Sequence, residues 1–219
     1  MNLTAVEFRR GWPVLVAAAL GTAFGASPIP FNSAGPFTKP LADEFGWGRG
    51  DIQLALFWFT AAVVLTVPFI GGLADRIGVR KVAIGTLALF GITFAALAFT
   101  PASLFAFYLL WVLMGALGGG STPVTWTRAV NAWFVHNRGL ALALTLMGTG
   151  VTAAFLPSLA TWLIEHYGWR KAFIGISLLP LAVALPVVIW LFREPEAKDA
   201  HELIAPPSRL GVTVGQALR

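Results

Sequence analysis

The chain of 219 residues contains no cysteine, so it can form neither a disulfide bond nor a thiolate metal site. Its three histidines, His136, His166 and His201, are far apart, and none has a second histidine at helical spacing. We assign them no chemistry. The sequence therefore predicts no catalytic residue, no metal site and no cofactor.

Charged residues are also scarce: they make up 11% of the chain, against about 25% in an average soluble protein. Hydrophobic residues make up 57%, and the mean hydropathy is +0.77. Six apolar stretches approach the ~20 residues that a membrane-spanning helix needs. Lipid offers no partner to backbone amides, and the stretches are too uniformly apolar for barrel strands, so we predict an all-α membrane protein. The stretches are 12–35, 52–72, 82–100, 104–130, 139–163 and 172–192.

Acidic residues are absent from the middle of every stretch, since each Asp and Glu falls in a loop, at a helix end or in the tail. An enzyme within the membrane would need a nucleophile, a metal cluster or paired carboxylates inside the spans. The pattern therefore predicts that the protein is not an enzyme and that the spans contain no buried acid.

Lysine and arginine are divided unequally between the two sides of the predicted bundle. With a cytoplasmic N-terminus, eleven lie in inner segments and four in outer loops, namely Lys39, Arg49, Arg170 and Lys171. Inner loops of membrane proteins carry such an excess. The pI of about 10.2 is thus explained by topology, and we expect no nucleic-acid partner.

The most distinctive motif is the run GGLADRIGVRKV, residues 71–82, between the second and third stretches. It resembles the loop signature of the major facilitator superfamily of secondary transporters, G-x-L-a-D-r-x-G-x-r-[KR]. The matching residues are Gly71, Leu73, Ala74, Asp75, Arg76, Gly78, Arg80 and Lys81.

The resemblance implies that Asp75 meets the bases of its own loop and a neighbouring helix end. Such a cluster is a latch that is made and broken during alternating access. Gly71 is expected to permit close helix approach and Gly78 a tight turn. Alternatively, the basic residues of the loop are only topology anchors held by anionic lipid of the bilayer.

The resemblance also implies twelve helices in two halves, each half built from two inverted three-helix repeats. Residues 1–192 would be the N-terminal six-helix half. Residues 193–219 are polar and contain proline, as a cytoplasmic linker between halves would be. We expect the chain to stop before a seventh helix and to need a C-terminal half as partner. RGDIQLAL from Arg49 and RGLALAL from Arg138 would occupy corresponding positions in the two repeats.

A second resemblance covers NAWFVHNRGLALAL at 131–144, LMGTG, FLPSLATWLIEHYGWRKAF and FGWGR at 45–49. These pieces are similar to the branch with bacterial oxalate/formate antiporters and monocarboxylate transporters. The branch implies a bacterial inner-membrane transporter of a small organic anion, a monocarboxylate or dicarboxylate. Thr152 and Ala153 stand where drug antiporters carry Gly-Pro, which weakens the alternative of a drug or other small-molecule exporter. Another alternative is a half-size membrane scaffold or regulatory protein.

Polar residues of the first and fourth helices are the candidates for the substrate cavity, because in the family these helices line it. Ser121, Thr125 and Arg128 are spaced i, i+4, i+7 and would share one helix face. An arginine within the hydrocarbon is costly and marks a functional site by default, and it would hold a carboxylate. Alternatively, Arg128 snorkels to the interface as an anchor.

The first helix contains an interruption at Ser27 and Pro28, and Asn32 and Ser33 that follow are further cavity candidates. Alternatively, these polar residues only end the helix. A group of four glycines in the fourth helix is predicted to allow close helix packing. It comprises Gly115, Gly118, Gly119 and Gly120.

Overall fold

The computed structural model describes residues 3–193, with side chains from Glu7 onward, so the predicted linker after Arg193 lies outside the described residues. The described part contains six helices long and apolar enough to cross a membrane, which confirms the all-α membrane prediction. Within residues 3–193 the nine α-helices are α1 Leu3–Ala23, α2 Pro28–Phe45, α3 Arg49–Ile77, α4 Val79–Ala96, α5 Leu104–Gly118, α6 Pro123–Trp133, α7 Arg138–Tyr167, α8 Trp169–Leu178 and α9 Leu185–Leu191.

Three of the six spans are interrupted. The first span consists of α1 and α2, which restarts at Pro28 because proline lacks an N–H and suits the first helical position. The fourth consists of α5, a 3₁₀ turn at Gly119–Ser121, and α6, which starts at Pro123. The sixth consists of α8, a π-helical segment at Leu179–Ala184, and α9. The helices α3, α4 and α7 form the second, third and fifth spans.

Successive spans run in opposite directions, so the bundle has two ends. We call the end with the turn between α3 and α4 the Gly78 side, and the end with the turn between α7 and α8 the Gly168 side. Each end has its own buried apolar cluster. Phe37 and Phe173 stack at 3.8 Å in the cluster of the Gly168 side, and Trp126 packs on Phe192 in the other.

The helices α3 and α7 correspond to each other in the two three-helix repeats. Arg49 is the first residue of α3 and Arg138 the first of α7, so the two similar sequences begin the second and fifth spans. Pro68 and Pro157 lie at matching positions inside the two helices. This agreement indicates one three-helix unit present twice in opposite orientation.

The glycines of the fourth span pack closely against neighbouring helices, as predicted. A Cβ added to Gly115 would lie 2.5 Å from the carbonyl oxygen of Phe59 in α3. A Cβ on Gly118 would lie 2.9 Å from the Cβ of Phe90 in α4. The fourth span is therefore held against the second and third by backbone approach that a side chain would prevent.

Candidate functional site

The first and fourth spans cross at their interruptions. The backbone N–H of Ala26 donates to Ser121 Oγ at 3.1 Å, and Ser121 Oγ donates to the carbonyl of Gly118 at 2.8 Å. Trp126 Nε1 donates to the carbonyl of Ser121 at 3.0 Å. A Cβ on Gly25 would lie 2.2 Å from that same carbonyl oxygen. The two broken helices are thus joined by the backbone groups that the breaks leave without helical partners.

The predicted common face of Ser121, Thr125 and Arg128 is wrong. Ser121 lies in the 3₁₀ turn before α6 and is fully buried against the first span. Thr125 is half-buried and Arg128 is exposed, and both belong to α6. The spacing argument assumed one continuous helix, and Thr122, with ψ of 162°, is extended.

Asn32 and Ser33 lie inside α2, which continues to Phe45, so the alternative that they end the helix is wrong. Asn32 Nδ2 donates to the carbonyl of Pro28, and Ser33 Oγ to that of Ile29, both at 2.7 Å. Ser33 is buried and its hydroxyl proton is used within its own helix. Asn32 is half-buried beside the exposed Phe31, so it is the better cavity candidate of the two.

Asp75 in the last turn of α3 forms an ion pair with Arg128 of α6. Their side chains are 60% and 52% exposed, so water screens the pair. Asp75 therefore contacts a neighbouring helix as expected, but the contact is made with the middle of α6 and not with its end. Arg128, predicted for the cavity, is part of this contact, so the two predicted sets of residues meet at one point.

The remaining residues of the loop motif have separate roles. Arg80 donates to the carbonyl of Ile189 in the last turn of α9 at 2.7 Å, where a cation is favourable. Gly78 has φ 96° and makes the predicted turn. A Cβ on Gly71 would meet nothing within 4 Å, so the predicted close approach at Gly71 is absent from the described residues. Leu73, Arg76 and Lys81 are exposed.

A small cavity of about 70 Å³ lies beside the ion pair. Thr125 and Arg128 border it from α6, and Val67 and Gly71 border it from α3. Pockets for small molecules usually measure about 300–1,000 Å³. This cavity is therefore too small for an organic anion in this arrangement.

Glu7 is a buried acid that the sequence analysis did not predict, although it lies before the first predicted stretch, 12–35. Its side chain is 3% exposed and lies in α1 on the Gly78 side. Its carboxylate accepts the backbone N–H groups of Val135, His136 and Asn137 at 2.9–3.1 Å. It also contacts Asn137 Nδ2 at 3.0 Å and His136 Nδ1 at 3.1 Å.

These N–H groups precede the first turn of α7, where a helix has unsatisfied donors and attracts negative charge. Glu7 thus fixes the start of α7 to the start of the first span. No local pattern marks it, since the partners stand about 130 residues away along the chain.

On the Gly168 side, Glu44 near the end of α2 accepts hydrogen bonds from Trp169 Nε1 and from Arg170 at the start of α8. The guanidinium of Arg170 also lies 4.1 Å from the centre of the Trp169 ring. This contact joins the end of the first span to the start of the sixth.

The second and fifth spans are the least buried of the six. Only 17% of the apolar window of α3 and 22% of that of α7 are buried, against 39–61% in the other four spans. Large side chains such as Leu65 and Phe69 of α3 are 70% and 78% exposed. These two helices therefore present the largest uncovered surfaces of the bundle.

Comparison with known proteins shows the family. The Major Facilitator Superfamily profile matches residues 15–215. The gallate transporter of Pseudomonas putida is 29% identical over 208 residues, which cover 94% of this chain and 44% of that protein. Monocarboxylate transporter 13 of Rattus norvegicus is 29% identical over 183 residues, 78% of this chain and 39% of that protein.

The membrane sensor protein UhpC of Salmonella typhimurium is 33% identical over 191 residues, 84% of this chain and 41% of that protein. The chain spans about half the length of the curated relatives it matches. The loop motif, the six spans and a profile match over most of the sequence agree: the chain belongs to the Major Facilitator Superfamily.

Proposed function

We propose that this chain forms one six-helix half of a secondary transporter, not an enzyme, and that the whole protein moves a small organic anion by alternating access. The observation that carries the proposal is the Asp75–Arg128 ion pair. It places a permanent cation on an exposed helix face and holds it by a single screened contact.

The pair can serve as a latch because it is weak. Ion pairs exposed to this extent contribute about 0–1 kcal/mol, so a competing carboxylate can displace Asp75 from Arg128. A guanidinium binds a carboxylate through two parallel hydrogen bonds and keeps its charge at every physiological pH. We propose that an anionic substrate takes the place of Asp75 and thereby releases the end of α3 from α6.

Two relatives support an anionic substrate. Their names specify gallate and monocarboxylates, both of which carry a carboxylate at neutral pH. Asn32 of α2, which is half-buried and follows the interruption of the first span, is proposed as a second contact of the substrate.

A second six-helix bundle is proposed to cover α3 and α7, whose low burial leaves room for it. The substrate pathway would then lie between the two bundles, with the crossing of the first and fourth spans on its wall. We further propose that the Gly78 side faces the cytoplasm of a bacterial cell, because most of the described basic residues lie there.

A regulatory function is the second candidate, since one relative is named a membrane sensor protein. A sensor would bind a solute without moving it. Transport assays and binding assays therefore separate the two candidates.

The test uses the whole protein encoded by the reading frame that contains this chain, reconstituted in liposomes. Uptake of radiolabelled gallate, benzoate and acetate is measured by counterflow. Arg128→Gln should nearly abolish uptake, and Arg128→Lys should raise the half-saturating concentration, because lysine lacks the paired geometry. Arg76→Gln, which removes an exposed charge of the same loop, is the matched control.

Normal uptake by both Arg128 variants would contradict the proposed role of Arg128. Saturable binding without uptake in the unaltered protein would favour the sensor. Liposomes that contain only the 219-residue chain should show no saturable uptake, and uptake by that chain would show that it works without a second bundle of different sequence.

A further inference from the structure

The turn at Gly168 repeats the turn at Gly78 in sequence. Leucine, glycine, arginine, lysine, isoleucine and glycine recur ninety residues further along the chain, and an acid recurs as well, Glu165 for Asp75. The recurring residues are Leu73, Gly78, Arg80, Lys81, Ile84 and Gly85 in the first copy and Leu163, Gly168, Arg170, Lys171, Ile174 and Gly175 in the second.

The backbone of the two turns is the same as well. Gly78 has φ 96° and ψ 145°, and Gly168 has φ 80° and ψ 159°. Each glycine N–H donates to the carbonyl four residues earlier, at 3.0 and 2.9 Å. Each glycine carbonyl accepts the N–H four residues later, at 3.4 and 3.1 Å. Glu165 therefore stands on α7 where Asp75 stands on α3.

The partner of Asp75 has a counterpart too. Arg128 lies on α6, the second helix of the fourth span, and Lys39 lies on α2, the second helix of the first span. Lys39 precedes Arg128 by eighty-nine residues, the same interval that separates Arg49 from Arg138. In the repeat, Lys39 is the counterpart of Arg128 and Glu165 is the counterpart of Asp75. The repeat therefore predicts Lys39 as the partner of Glu165.

The ends of α2 and α7 lie next to each other on the Gly168 side, as this assignment requires. Glu44, five residues after Lys39, contacts Trp169 and Arg170, which follow Glu165 by four and five residues. The end of α2 therefore lies beside the turn that follows Glu165, and α2 packs along α7.

Lys39 and Glu165 are not paired in the structure. Lys39 binds Asp43 one turn further along α2, with both side chains largely exposed. Glu165 is exposed at the edge of a shallow depression with Thr161 and Trp162, and it makes no ion pair within residues 3–193. An exposed i, i+4 pair is worth only about 0.3–0.5 kcal/mol, so Lys39 can change partners readily.

We propose that Lys39 and Glu165 form a second latch on the Gly168 side, the repeat-related counterpart of the Asp75–Arg128 latch on the Gly78 side. Lys39 leaves Asp43 to form it. The function of this latch rests on the proposed alternating access, whereas its geometry does not.

The first test measures only whether positions 39 and 165 come close to each other. The chain has no cysteine, so cysteines introduced in pairs are the only thiols. The variant with both Lys39→Cys and Glu165→Cys is treated in liposomes with a bifunctional thiol reagent. The span of the reagent matches the length of a lysine–glutamate contact. Asp75→Cys with Arg128→Cys is the reference pair, and Arg49→Cys with Glu165→Cys is the control pair on the Gly168 side.

We expect the 39/165 pair to cross-link within about threefold of the reference rate, and at least about tenfold faster than the control pair, because the proposed contact raises the effective concentration of the two thiols. A rate for the 39/165 pair no higher than that of the control pair would overturn the proposal. All of the altered side chains are exposed, and the reference pair reports whether such variants fold.

The second test measures how removal of the charges of Lys39 and Glu165 changes uptake by the reconstituted whole protein. Lys39→Gln and Glu165→Gln should each lower uptake about two- to fivefold, and the double variant should be no slower than either single variant. Asp43→Asn is the control, because it removes only the present partner of Lys39, and it should leave uptake unchanged. Additive losses in the double variant would contradict the coupling, even if the protein transports as proposed.

Discussion

The turns at Gly78 and Gly168 have one backbone but different side-chain contacts. Asp75 is paired with Arg128, whereas Glu165 has no ion pair among the described residues. Arg80 donates to the carbonyl of Ile189, whereas Arg170 binds Glu44 and stacks on Trp169. The comparison shows that the glycine and the helix geometry fix the turn, and that the contacts of its charges depend on the helices packed around it.

The difference extends to the two ends of the bundle. The Gly78 side contains a buried carboxylate, Glu7, with several donors, in addition to the Asp75 pair. The Gly168 side is held by Glu44, whose side chain is 40% exposed, and by stacked aromatic rings. We therefore expect polar substitutions to destabilise the Gly78 side more, with effects on the free energy of unfolding that decrease in the following order.

Glu7→Ala should have the largest effect. It leaves the backbone N–H groups of Val135, His136 and Asn137 without their acceptor at the start of α7. An unsatisfied buried donor costs about 1–3 kcal/mol, and water can reach part of this site, so we expect a loss of roughly 2–4 kcal/mol. Chemical unfolding of the purified chain in detergent, followed by tryptophan fluorescence, measures it.

Glu165→Ala is the control for Glu7→Ala, because it removes an exposed acid from the other end and should change the free energy of unfolding by less than about 0.5 kcal/mol. If Glu7→Ala lowers the free energy of unfolding as little as Glu165→Ala is expected to, the Glu7 contacts contribute nothing to the stability of the fold.

Gly78→Ala and Gly168→Ala should each cost about 1–3 kcal/mol, and the two losses should be equal. Both residues have a positive φ with an extended ψ, a region that alanine rarely adopts. Gly72→Ala is the matched control, since Gly72 is helical and a Cβ there would meet nothing within 4 Å. Clearly unequal losses would refute the equivalence of the two turns.

The sequence predicted the fold better than the site. Apolar length located all six spans, but each helical stretch extends beyond the apolar core, because helices continue into the polar interface at residues such as Arg49 and Arg138. The break at Pro28 was predictable from two nearby prolines. The break at Gly119–Ser121 was not, because the glycines there also serve packing, and this error placed Ser121 on the wrong face.

The sequence predicted the type of charged contact but not the residue that makes it. The loop motif indicated that Asp75 would meet a basic residue, yet Arg128 stands 53 residues away along the chain and was assigned to the substrate. Glu7 was missed altogether. Helical periodicity reports which side chains share a face, and it contains no information on which distant backbone groups will need an acceptor.

Glu44→Gln should have a moderate effect on the Gly168 side. The amide still accepts a hydrogen bond from Trp169 but loses the ionic contact with Arg170. Because both members of this ion pair are 40–47% exposed, we expect a loss of about 0.5–1 kcal/mol. Arg170→Lys, which keeps the charge but loses the planar stacking on Trp169, should lose a similar amount. A loss above that of Glu7→Ala would reverse the proposed order of the two ends.

Asp75→Asn should have the smallest effect on stability and a large effect on transport. The pair with Arg128 is more than half exposed on both sides, so its removal should change the free energy of unfolding by about 0–1 kcal/mol. The variant keeps every basic residue of the loop, so membrane insertion should be normal. Uptake by the whole protein should nevertheless fall strongly, because asparagine cannot hold the guanidinium by charge and the latch no longer closes. Unchanged uptake with normal insertion would leave the loop as a lipid anchor, whereas a stability loss as large as that of Glu7→Ala would show that the pair is structural.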